Sequence, residues 1–296
     1  MARRLAAGVA LSDSAAAALR DATIRQAGTD RWTVKLHAHL DRPDYEQADA
    51  ALRRLAGGGH YQPRARVHVY RDDPGPELAA VLATGLLPQD PKLRDGWYPT
   101  PEGVADNLAV NYALNGLQVE HDGALRVLEP SAGKGALADA MVKFHVEPQR
   151  VRCVEPDVWR SAVCRAKGYP TWTMRFQTWA IRNAGEPPFD VVVMNPPFTE
   201  AGNPTAWADH LLLAWSLVGP GGSLAGIVPR CVQYRRQHPK IERVASLVDR
   251  YGYCYDHLDR DDFTPSGYGG HPLIVQLSRL PSEEPLALAA EEGRLF

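Results

Sequence analysis

The residues best suited to chemistry stand together in the segment Asn195-Pro196-Pro197-Phe198, directly after the apolar run Phe189–Met194. Proline has a fixed φ and no N–H group, so two prolines make a rigid rim that offers only hydrogen-bond acceptors. Asn195 adds a side-chain carbonyl, and Phe198 adds an aromatic face. This composition predicts a site for a planar amino group, because the Asn195 amide oxygen and the Pro196 carbonyl can each accept one of its hydrogens.

The N6 amino group of adenine fits this description, and its lone pair is delocalised into the ring, which makes it a poor nucleophile. Two acceptors on its hydrogens would bias the nitrogen toward sp³ geometry and expose the lone pair to an electrophilic methyl group. We therefore predict that Asn195, Pro196, Pro197 and Phe198 are catalytic, with Phe198 stacked on the base. The competing interpretation is a strand end followed by a proline turn.

A second candidate site is a glycine loop with an acid beyond it. The predicted strand Leu125–Leu128 runs into Glu129-Pro-Ser-Ala-Gly133-Lys-Gly135-Ala-Leu-Ala138, a G-x-G-x-x-A pattern that permits a tight turn and a close backbone approach to a ligand. Glu155 follows Gly135 by 20 residues, at the end of the next predicted strand, where an acid can accept both hydroxyls of a ribose. Loop and acid together predict a nucleoside cofactor, and NAD fits this pattern equally well.

The elements that must position these residues alternate between strand and helix. Short buried-type strands are predicted at 125–128, 150–154, 189–194 and 223–228, which indicates right-handed crossovers and a mostly parallel sheet with helices on both faces. Segments 253–263 and 273–277 read as an antiparallel hairpin at the sheet edge. We expect an α/β fold, a Rossmann-like, mostly parallel seven-stranded sheet with a C-terminal hairpin. Ligands bind at the carboxyl ends of such strands, which places Asn195 beside the glycine loop.

The chain has 296 residues, which at about 150 per domain suggests two domains. Residues 1–95 read as a small α+β module that could be accessory or contact DNA, residues 96–280 as the catalytic domain, and residues 281–296 as an acidic tail. A polar, proline-bearing joint is expected at 88–96. Within the module, the sequence predicts helices at 12–30, 44–55 and 76–86 and strands at 32–40 and 66–70.

Composition excludes several classes. Hydrophobic residues make up 45% and charged residues 23%, as in an ordinary globular protein, and no run approaches the ~20 apolar residues of a membrane span. The first residues lack a full signal-peptide core, so a cytoplasmic location is expected. Cys153, Cys164, Cys231 and Cys254 show no zinc-site spacing and read as reduced structural thiols. We predict no metal site, and His37, His39 and His68 read as surface residues.

The net charge of −2 conceals an uneven distribution. Residues 281–296 hold one cation and four anions, a sum of −3, so the rest of the chain carries +1. No Lys or Arg occurs in residues 183–229, whereas residues 143–182 hold eight cations and three anions, and residues 230–243 hold five and one. Because the local field decides whether a polyanion binds, the flanks of the cation-free stretch are candidate nucleic-acid contacts.

These motifs together resemble those of S-adenosylmethionine-dependent N6-adenine DNA methyltransferases, including phage and mobile-element forms. The resemblance covers about residues 97–280 and includes Tyr98-Pro-Thr-Pro101, the glycine motif Glu129–Gly135, the catalytic motif Asn195–Phe198 and the late hairpin segment Phe263–Val275. It implies S-adenosylmethionine as cofactor and DNA as substrate, double-stranded with the base flipped out or single-stranded. Where such enzymes usually place an Asp-Phe after the third strand, this chain has Arg175-Phe-Gln-Thr-Trp179, so Gln177 or a backbone group must serve.

The resemblance also assigns residues to the two ligands. The cofactor-binding residues that it implies are Tyr98, Pro99, Thr100, Glu129, Ser131, Gly133, Gly135, Glu155, Gln177 and Asn195. The DNA-binding candidates are Arg230, Tyr234, Arg235, Arg236, Lys240 and Tyr268, with His238 beside them; a solvated loop and helix start is the competing interpretation. Arg53, Arg54, Arg64 and Arg66 offer a second patch, for which a plain solvated surface is the favoured interpretation.

Alternatives remain open at the level of sequence. The same chemistry could act on adenine or guanine in RNA or on a protein glutamine amide, since each presents a planar amino group. A non-catalytic nucleic-acid-binding module and an NAD-dependent oxidoreductase are the alternatives from other classes. A dehydrogenase would need a Tyr-Lys pair or a His as general acid in the cleft, and the sequence offers no clear position for one.

Overall fold

The structure is a computed structural model that describes residues 10–29, 31–55, 59–87, 99–115, 124–200, 202–234, 238–258 and 271–283, with the side chains of 253–257 excepted. These residues fall into two compact units, one drawn from 1–95 with 158–167 and the other from 96–157 with 168–296. No helix in the described ranges combines the length and hydropathy needed to span a membrane. The predicted joint at 88–96 and most of the acidic tail, from 284 onward, lie outside the described residues.

The first unit is an antiparallel sheet with helices packed on it. Its elements are α1 (Asp13–Arg20), β1 (Thr23–Gly28), β2 (Arg31–Lys35), α2 (Arg42–Leu52), β3 (His60–Gln62), β4 (Val67–Tyr70) and α3 (Gly75–Thr84). The strands pair in the order β1-β2-β4-β3, every pair antiparallel. Ser12 and Asp41 cap α1 and α2 through their side chains, and the core is apolar, with Leu19, Leu52 and Val81 fully buried.

Two predictions for this unit were wrong in their bounds. The predicted helix 12–30 ends at Arg20, and Thr23–Gly28 is a strand whose residues Thr23 to Gln26 pair with Lys35 to Trp32. Thr23 and Ile24 are β-branched and fit a pleated surface better than a helix, so tertiary pairing prevails over the Ala-rich start. The predicted strand 32–40 ends at Lys35, where the pairing with β1 also ends, and β3 was not predicted.

Two side chains of this unit are more buried than predicted. His68 is 2% exposed and its Nε2 lies 2.9 Å from Asp49 Oδ1, so it is a core residue hydrogen-bonded to an acid and not a surface histidine. His37 and His39 are exposed. Arg54 is 8% exposed and therefore cannot belong to an open basic patch, whereas Arg64 and Arg66 are exposed. The alternation of apolar and polar residues along a strand does not reveal that a polar side chain is buried against a hydrogen-bond partner.

The second unit contains the large sheet. Its elements, with the helix that belongs to the first unit included in chain order, are α4 (Glu102–Leu108, continued by a π-helical turn Ala109–Ala113), β5 (Val127–Glu129), α5 (Ala136–Lys143), β6 (Val151–Val154), α6 (Val158–Ala166), β7 (Thr171–Trp172), α7 (Phe176–Arg182), β8 (Phe189–Met194), α8 (Ala206–Ser216), β9 (Val218–Pro229), α9 (Pro239–Tyr251), β10 (Gly252–His257) and β11 (Pro272–Ser278). Short 3₁₀ turns lie at Pro148–Arg150 and Arg230–Gln233.

The seven strands of this sheet are ordered β10-β11-β9-β8-β5-β6-β7. Neighbouring strands from β9 to β7 pair in parallel, and β11 runs antiparallel to both β9 and β10. The predicted α/β fold with a mostly parallel seven-stranded sheet and a late antiparallel hairpin at the edge is therefore confirmed. The central strand β8 is almost entirely buried, which accounts for its apolar sequence apart from the half-buried Asp190.

The strand order reverses between β5 and β8. From β5 the chain continues to β6 on one side, and the later strand β8 pairs with β5 on the other, in the register Val127↔Val191 and Leu128↔Val192. Such a switch point opens a crevice at the carboxyl ends of the strands, where ligands bind in open α/β sheets. The residues after β5 and β8 are Glu129 onward and Asn195 onward, so the fold brings both predicted motifs to one place.

Candidate functional site

The glycine loop between β5 and α5 is held in a tight turn. Gly133 and Gly135 have φ values of 54° and 82°, in the left-handed region that L side chains rarely adopt. The Ala132 backbone N–H donates to the Val154 carbonyl at 3.0 Å, and the Gly135 N–H donates to the Ala132 carbonyl at 2.7 Å. The loop is thereby tied to β6 and turned back on itself, as the glycine pattern predicts.

Two buried carboxylates hold this loop from either end. Glu129, 2% exposed, accepts a hydrogen bond from the Ala138 N–H in the first turn of α5 at 2.9 Å. Glu155, 4% exposed, accepts from the Gly133 N–H at 2.8 Å and from the Asp157 N–H at 2.9 Å. Both acids therefore stabilise the backbone, a role that the sequence reasoning missed. A carboxylate oxygen has two lone-pair positions, so Glu155 can bind Gly133 and still accept a ribose hydroxyl.

The Asn-Pro-Pro-Phe segment leaves the carboxyl end of β8 with its asparagine tied to a distant part of the chain. Asn195 is half-buried, and its Nδ2 donates to the Thr100 hydroxyl at 3.0 Å. The amide nitrogen is thus engaged within the protein, and within the described part of the chain no donor is bound to the amide oxygen. Pro196 is buried, while Pro197 and Phe198 are half-buried, with Phe198 packed against the main core of this unit.

The other predicted cofactor residues lie around these two loops. Thr100, two residues before α4, is half-buried, and Pro99 is exposed. Tyr98 lies outside the described residues. Gln177 is half-buried in the first turn of α7, which begins one residue after Arg175. The structure thus brings Thr100 into direct contact with Asn195. Gln177 follows β7, which lies two strands away from β5, the strand that precedes the glycine loop.

A cluster that the sequence reasoning did not single out lies between the two motifs. His210, on α8 and 5% exposed, has its Nδ1 3.2 Å from the Ser131 hydroxyl of the glycine loop. Its Nε2 lies 3.6 Å from Oε1 of Glu200, which follows the Asn-Pro-Pro-Phe segment, and Arg175 Nη1 lies 3.8 Å from the other oxygen of that carboxylate. Because His210 is a single histidine in a largely apolar helix, nothing in the sequence predicts its contacts with Ser131 and Glu200.

The adjacent His210 ring holds the pKa of the Glu200 carboxyl below its ordinary value, and the Arg175 charge acts in the same direction while partial burial opposes both. Glu200 is therefore ionised at neutral pH and presents a negative charge to the imidazole. A carboxylate facing one ring nitrogen favours the tautomer with the proton on that nitrogen. The Ser131 hydroxyl faces the other ring nitrogen, Nδ1.

The predicted nucleic-acid contacts follow β9, the strand next to β8. Arg230 is exposed and Tyr234 is 57% exposed, both at or just after the 3₁₀ turn that begins at the carboxyl end of β9. They therefore lie at the same sheet edge as Asn195. Lys240 Nζ pairs with Asp209 Oδ2 at 2.7 Å, so its charge is already partly compensated. Arg235, Arg236 and Tyr268 lie outside the described residues.

No family model matches this sequence, and no curated protein matches it either. Solved structures do resemble its fold. A methyltransferase subunit of a type I restriction-modification system from Streptococcus thermophilus shares 19% identity with a TM-score of 0.51, over 61% of this chain and 44% of that one. A modification subunit assigned to a type I restriction enzyme from Vibrio vulnificus shares 15% identity with a TM-score of 0.51, over 64% and 46% of the two chains.

A protein from Listeria monocytogenes assigned to the class I S-adenosylmethionine-dependent methyltransferases shares 16% identity with a TM-score of 0.48, over 66% of this chain and 65% of that one. The chain thus spans less than two thirds of the length of each of these three proteins. At these identities the likeness concerns the fold, and it rests on the two restriction-modification subunits. The larger unit of this protein has the Rossmann-like fold of methyltransferases.

Proposed function

We propose that this protein transfers a methyl group from S-adenosylmethionine to the N6 amino group of adenine in DNA. The observation that carries the proposal is the position of Asn195 at the switch point of a methyltransferase-like sheet, with its amide nitrogen bound to Thr100 and its oxygen left as an acceptor. The Pro196 carbonyl supplies the second acceptor. Two acceptors beside a nucleoside-cofactor loop are what an exocyclic amine needs in order to become a nucleophile.

The residues present fit the cofactor by their chemistry. A left-handed glycine turn lets a ligand approach the backbone closely, and buried Glu155 lies at its edge, where an acid can bind the hydroxyls of a ribose. When bound, S-adenosylmethionine supplies an electrophilic methyl group on a sulfonium. Within this proposal, Ser131, Gln177 and the segment from Tyr98 to Thr100 would complete the binding site. Glu129 would act indirectly, by holding the start of α5 through Ala138.

The role of the remaining residues is to orient the base and exclude water. Asn195 and Pro196 would hold the two hydrogens of the amino group, and Phe198 would stack on the ring, so that the reacting atoms are aligned in line. A strong general base is not required, because the methylated ammonium is acidic enough to lose its proton to water. An adenine inside a duplex cannot reach such a site, so the base must be flipped out or already unpaired.

A nucleic-acid substrate is supported by two features. The catalytic segment after β8 lies in a stretch, 183–229, that contains no Lys or Arg, so phosphate contacts would come from its flanks. Exposed Arg230 and Tyr234 stand at one flank, suited to phosphate pairing and base stacking respectively. The likeness of the fold to restriction-modification subunits supports DNA as that nucleic acid.

The test is transfer of tritium from labelled S-adenosylmethionine to DNA, RNA and protein offered in parallel. We expect label in DNA, at N6 of adenine, and its loss by at least ~100-fold in Asn195→Ala. The matched control is Asn111→Ala, an exposed asparagine on the turn after α4, which should methylate like wild type. Label only in RNA or only in protein would overturn the assignment of DNA as substrate, while methyl transfer to a planar amino group would still hold.

Binding of S-adenosylhomocysteine by calorimetry separates methyltransferases from the other classes. An NAD-dependent oxidoreductase would bind NAD and not S-adenosylhomocysteine, and a plain nucleic-acid-binding module would bind neither. If the protein binds S-adenosylhomocysteine but Asn195→Ala transfers methyl groups at the wild-type rate, the catalytic assignment is wrong while the cofactor assignment stands.

A further inference from the structure

The buried imidazole of His210 contacts both loops of the proposed active site, and neither the motifs nor the proposed chemistry accounts for it. One ring nitrogen lies 3.2 Å from the Ser131 hydroxyl of the glycine loop, and the other lies 3.6 Å from a carboxylate oxygen of Glu200 in the loop after the Asn-Pro-Pro-Phe segment, an ion-pair distance and not a hydrogen bond. The ring is held in place by Phe176, whose centroid lies 5.6 Å away. No other histidine among the described residues bridges these two loops.

We propose that His210 is a positioning residue that joins the cofactor loop to the catalytic loop, with Nδ1 orienting Ser131 for cofactor binding and Nε2 holding Glu200 so that the segment from Asn195 onward is correctly placed. The inference rests on the proposed function, since it assigns roles within that site. It makes His210 neither an acid–base catalyst nor a ligand of either substrate. Its two nitrogens have separate tasks, one for affinity and one for turnover.

The local charges support this division. Glu200 carries a negative charge, and its other oxygen faces Arg175 at 3.8 Å. The neighbouring acid on α8, Asp209, is paired with Lys240 at 2.7 Å and also accepts from Asn203. A carboxylate facing Nε2 favours a proton on that nitrogen, and Nδ1 can then accept the Ser131 O–H. The lone pairs of the serine oxygen then remain for a cationic group of the ligand, such as the ammonium of the methionine part.

A side-chain amide can replace one nitrogen of the ring at a time. Asparagine places its amide near the position of Nδ1, and glutamine places it near that of Nε2. His210→Asn therefore retains a partner for Ser131 and loses the contact with Glu200, whereas His210→Gln does the reverse. The two variants have the same polarity and differ in which loop they release, so they form a matched pair.

The experiment measures S-adenosylhomocysteine affinity by calorimetry and DNA methylation kinetics for both variants. His210→Gln should raise the Kd for S-adenosylhomocysteine about fivefold or more while leaving kcat within about twofold, because one hydrogen bond to the cofactor loop is lost. His210→Asn should leave Kd within about twofold and lower kcat about fivefold or more. The control His39→Gln, at an exposed histidine, should change neither quantity.

A purely structural role for His210 predicts equal effects of both variants on Kd and kcat, and that outcome overturns the inference. If either variant fails to fold, two substitutions at partly exposed positions replace the pair. Ser131→Ala should then raise the Kd for S-adenosylhomocysteine, and Glu200→Gln should lower kcat. If wild type binds no S-adenosylhomocysteine, the proposed function falls and the inference falls with it. If wild type binds S-adenosylhomocysteine and methylates DNA but the variants show no division, only the inference falls.

Discussion

Asn195 and Thr100, 95 positions apart in the chain, are joined by a hydrogen bond of 3.0 Å from the amide nitrogen to the hydroxyl oxygen. The bond links the catalytic candidate to the segment that precedes α4, which the resemblance assigns to the cofactor. It also determines which end of the carboxamide is engaged within the protein. A catalytic amide held in this way is prepared before the substrate arrives, and this reduces the cost of orienting it in the transition state.

Replacement of Thr100 tests that link. Thr100→Val keeps the shape of the side chain and removes the acceptor, so Asn195 can rotate and kcat for DNA methylation should fall about tenfold, roughly the loss of one oriented hydrogen bond. Thr100→Ser keeps the hydroxyl and should retain most of the activity. Steady-state kinetics with saturating cofactor provide the measurement. Equal rates for Val and Ser at this position would show that the hydrogen bond does not orient the amide.

Replacement of Glu155 tests the buried acid that holds the glycine loop. Glu155→Gln keeps one oxygen but loses the charge that accepts from the Gly133 and Asp157 N–H groups, and its new NH₂ faces a donor. We expect S-adenosylhomocysteine affinity to fall at least about tenfold and the free energy of unfolding to fall by about 1–3 kcal/mol. Calorimetry and urea unfolding measure the two effects. Glu147→Gln, at a carboxylate that is 66% exposed, is the control and should alter neither.

The lowered pKa of Glu200 predicts a pH-dependent contribution to stability. A carboxyl whose pKa is lower in the folded state than its ordinary value of 4.5 stabilises the fold fully above that value, and the contribution is lost as the pH falls through the lower folded pKa. The difference in thermal midpoint between wild type and Glu200→Gln should be constant from pH 7 to about pH 5 and should shrink below pH 4.5. A difference that does not change with pH would show that the pKa of Glu200 is not lowered in the folded state.

Arg230 and Lys240 are predicted to differ in their effect on DNA binding. Arg230→Ala should weaken binding to all sequences alike and reduce the slope of log K against log salt by about one unit, the signature of one lost phosphate contact. Lys240→Ala should change the slope less, because Lys240 already pairs with Asp209, and should lower the thermal midpoint instead. Fluorescence anisotropy over a salt series measures the slopes. Identical slopes for the two variants would refute the distinction.

Patterns confined to one loop or one strand were predictable from the sequence. The run Phe189–Met194, apolar except for Asp190, is typical of a strand buried on both faces, and its helix-separated companions indicate a parallel sheet. Once the sheet is parallel, Glu129 and Asn195 must emerge at the same edge. The tight turn at glycines 133 and 135 was also predicted, from the G-x-G spacing directly after a strand, whereas their left-handed conformation was seen only in the structure.

Contacts between distant side chains were not predictable. Nothing in the types of Thr100 and Asn195, or of Ser131 and His210, indicates that they meet, because each pair is brought together by the order of strands and not by spacing along the chain. Hydrogen bonding also changed the meaning of predicted residues. Glu155 was predicted for a ribose and proves to hold the Gly133 N–H as well, and His68 was predicted on the surface and proves to be a buried partner of Asp49.

The helix Val158–Ala166 belongs to the first unit, although it lies in the chain between two strands of the second. Its side chains Ala162 and Val163 share a small core with Ala80 of α3, and Trp159 packs there as well. The two units are therefore interleaved along the chain. Deletion of residues 1–95 would strip the apolar cover from this helix, which lies in the chain between β6 and β7. Residues 1–95 therefore do not make up the whole first unit, since a helix from the later sequence completes its core, and a cut at residue 95 would divide that unit.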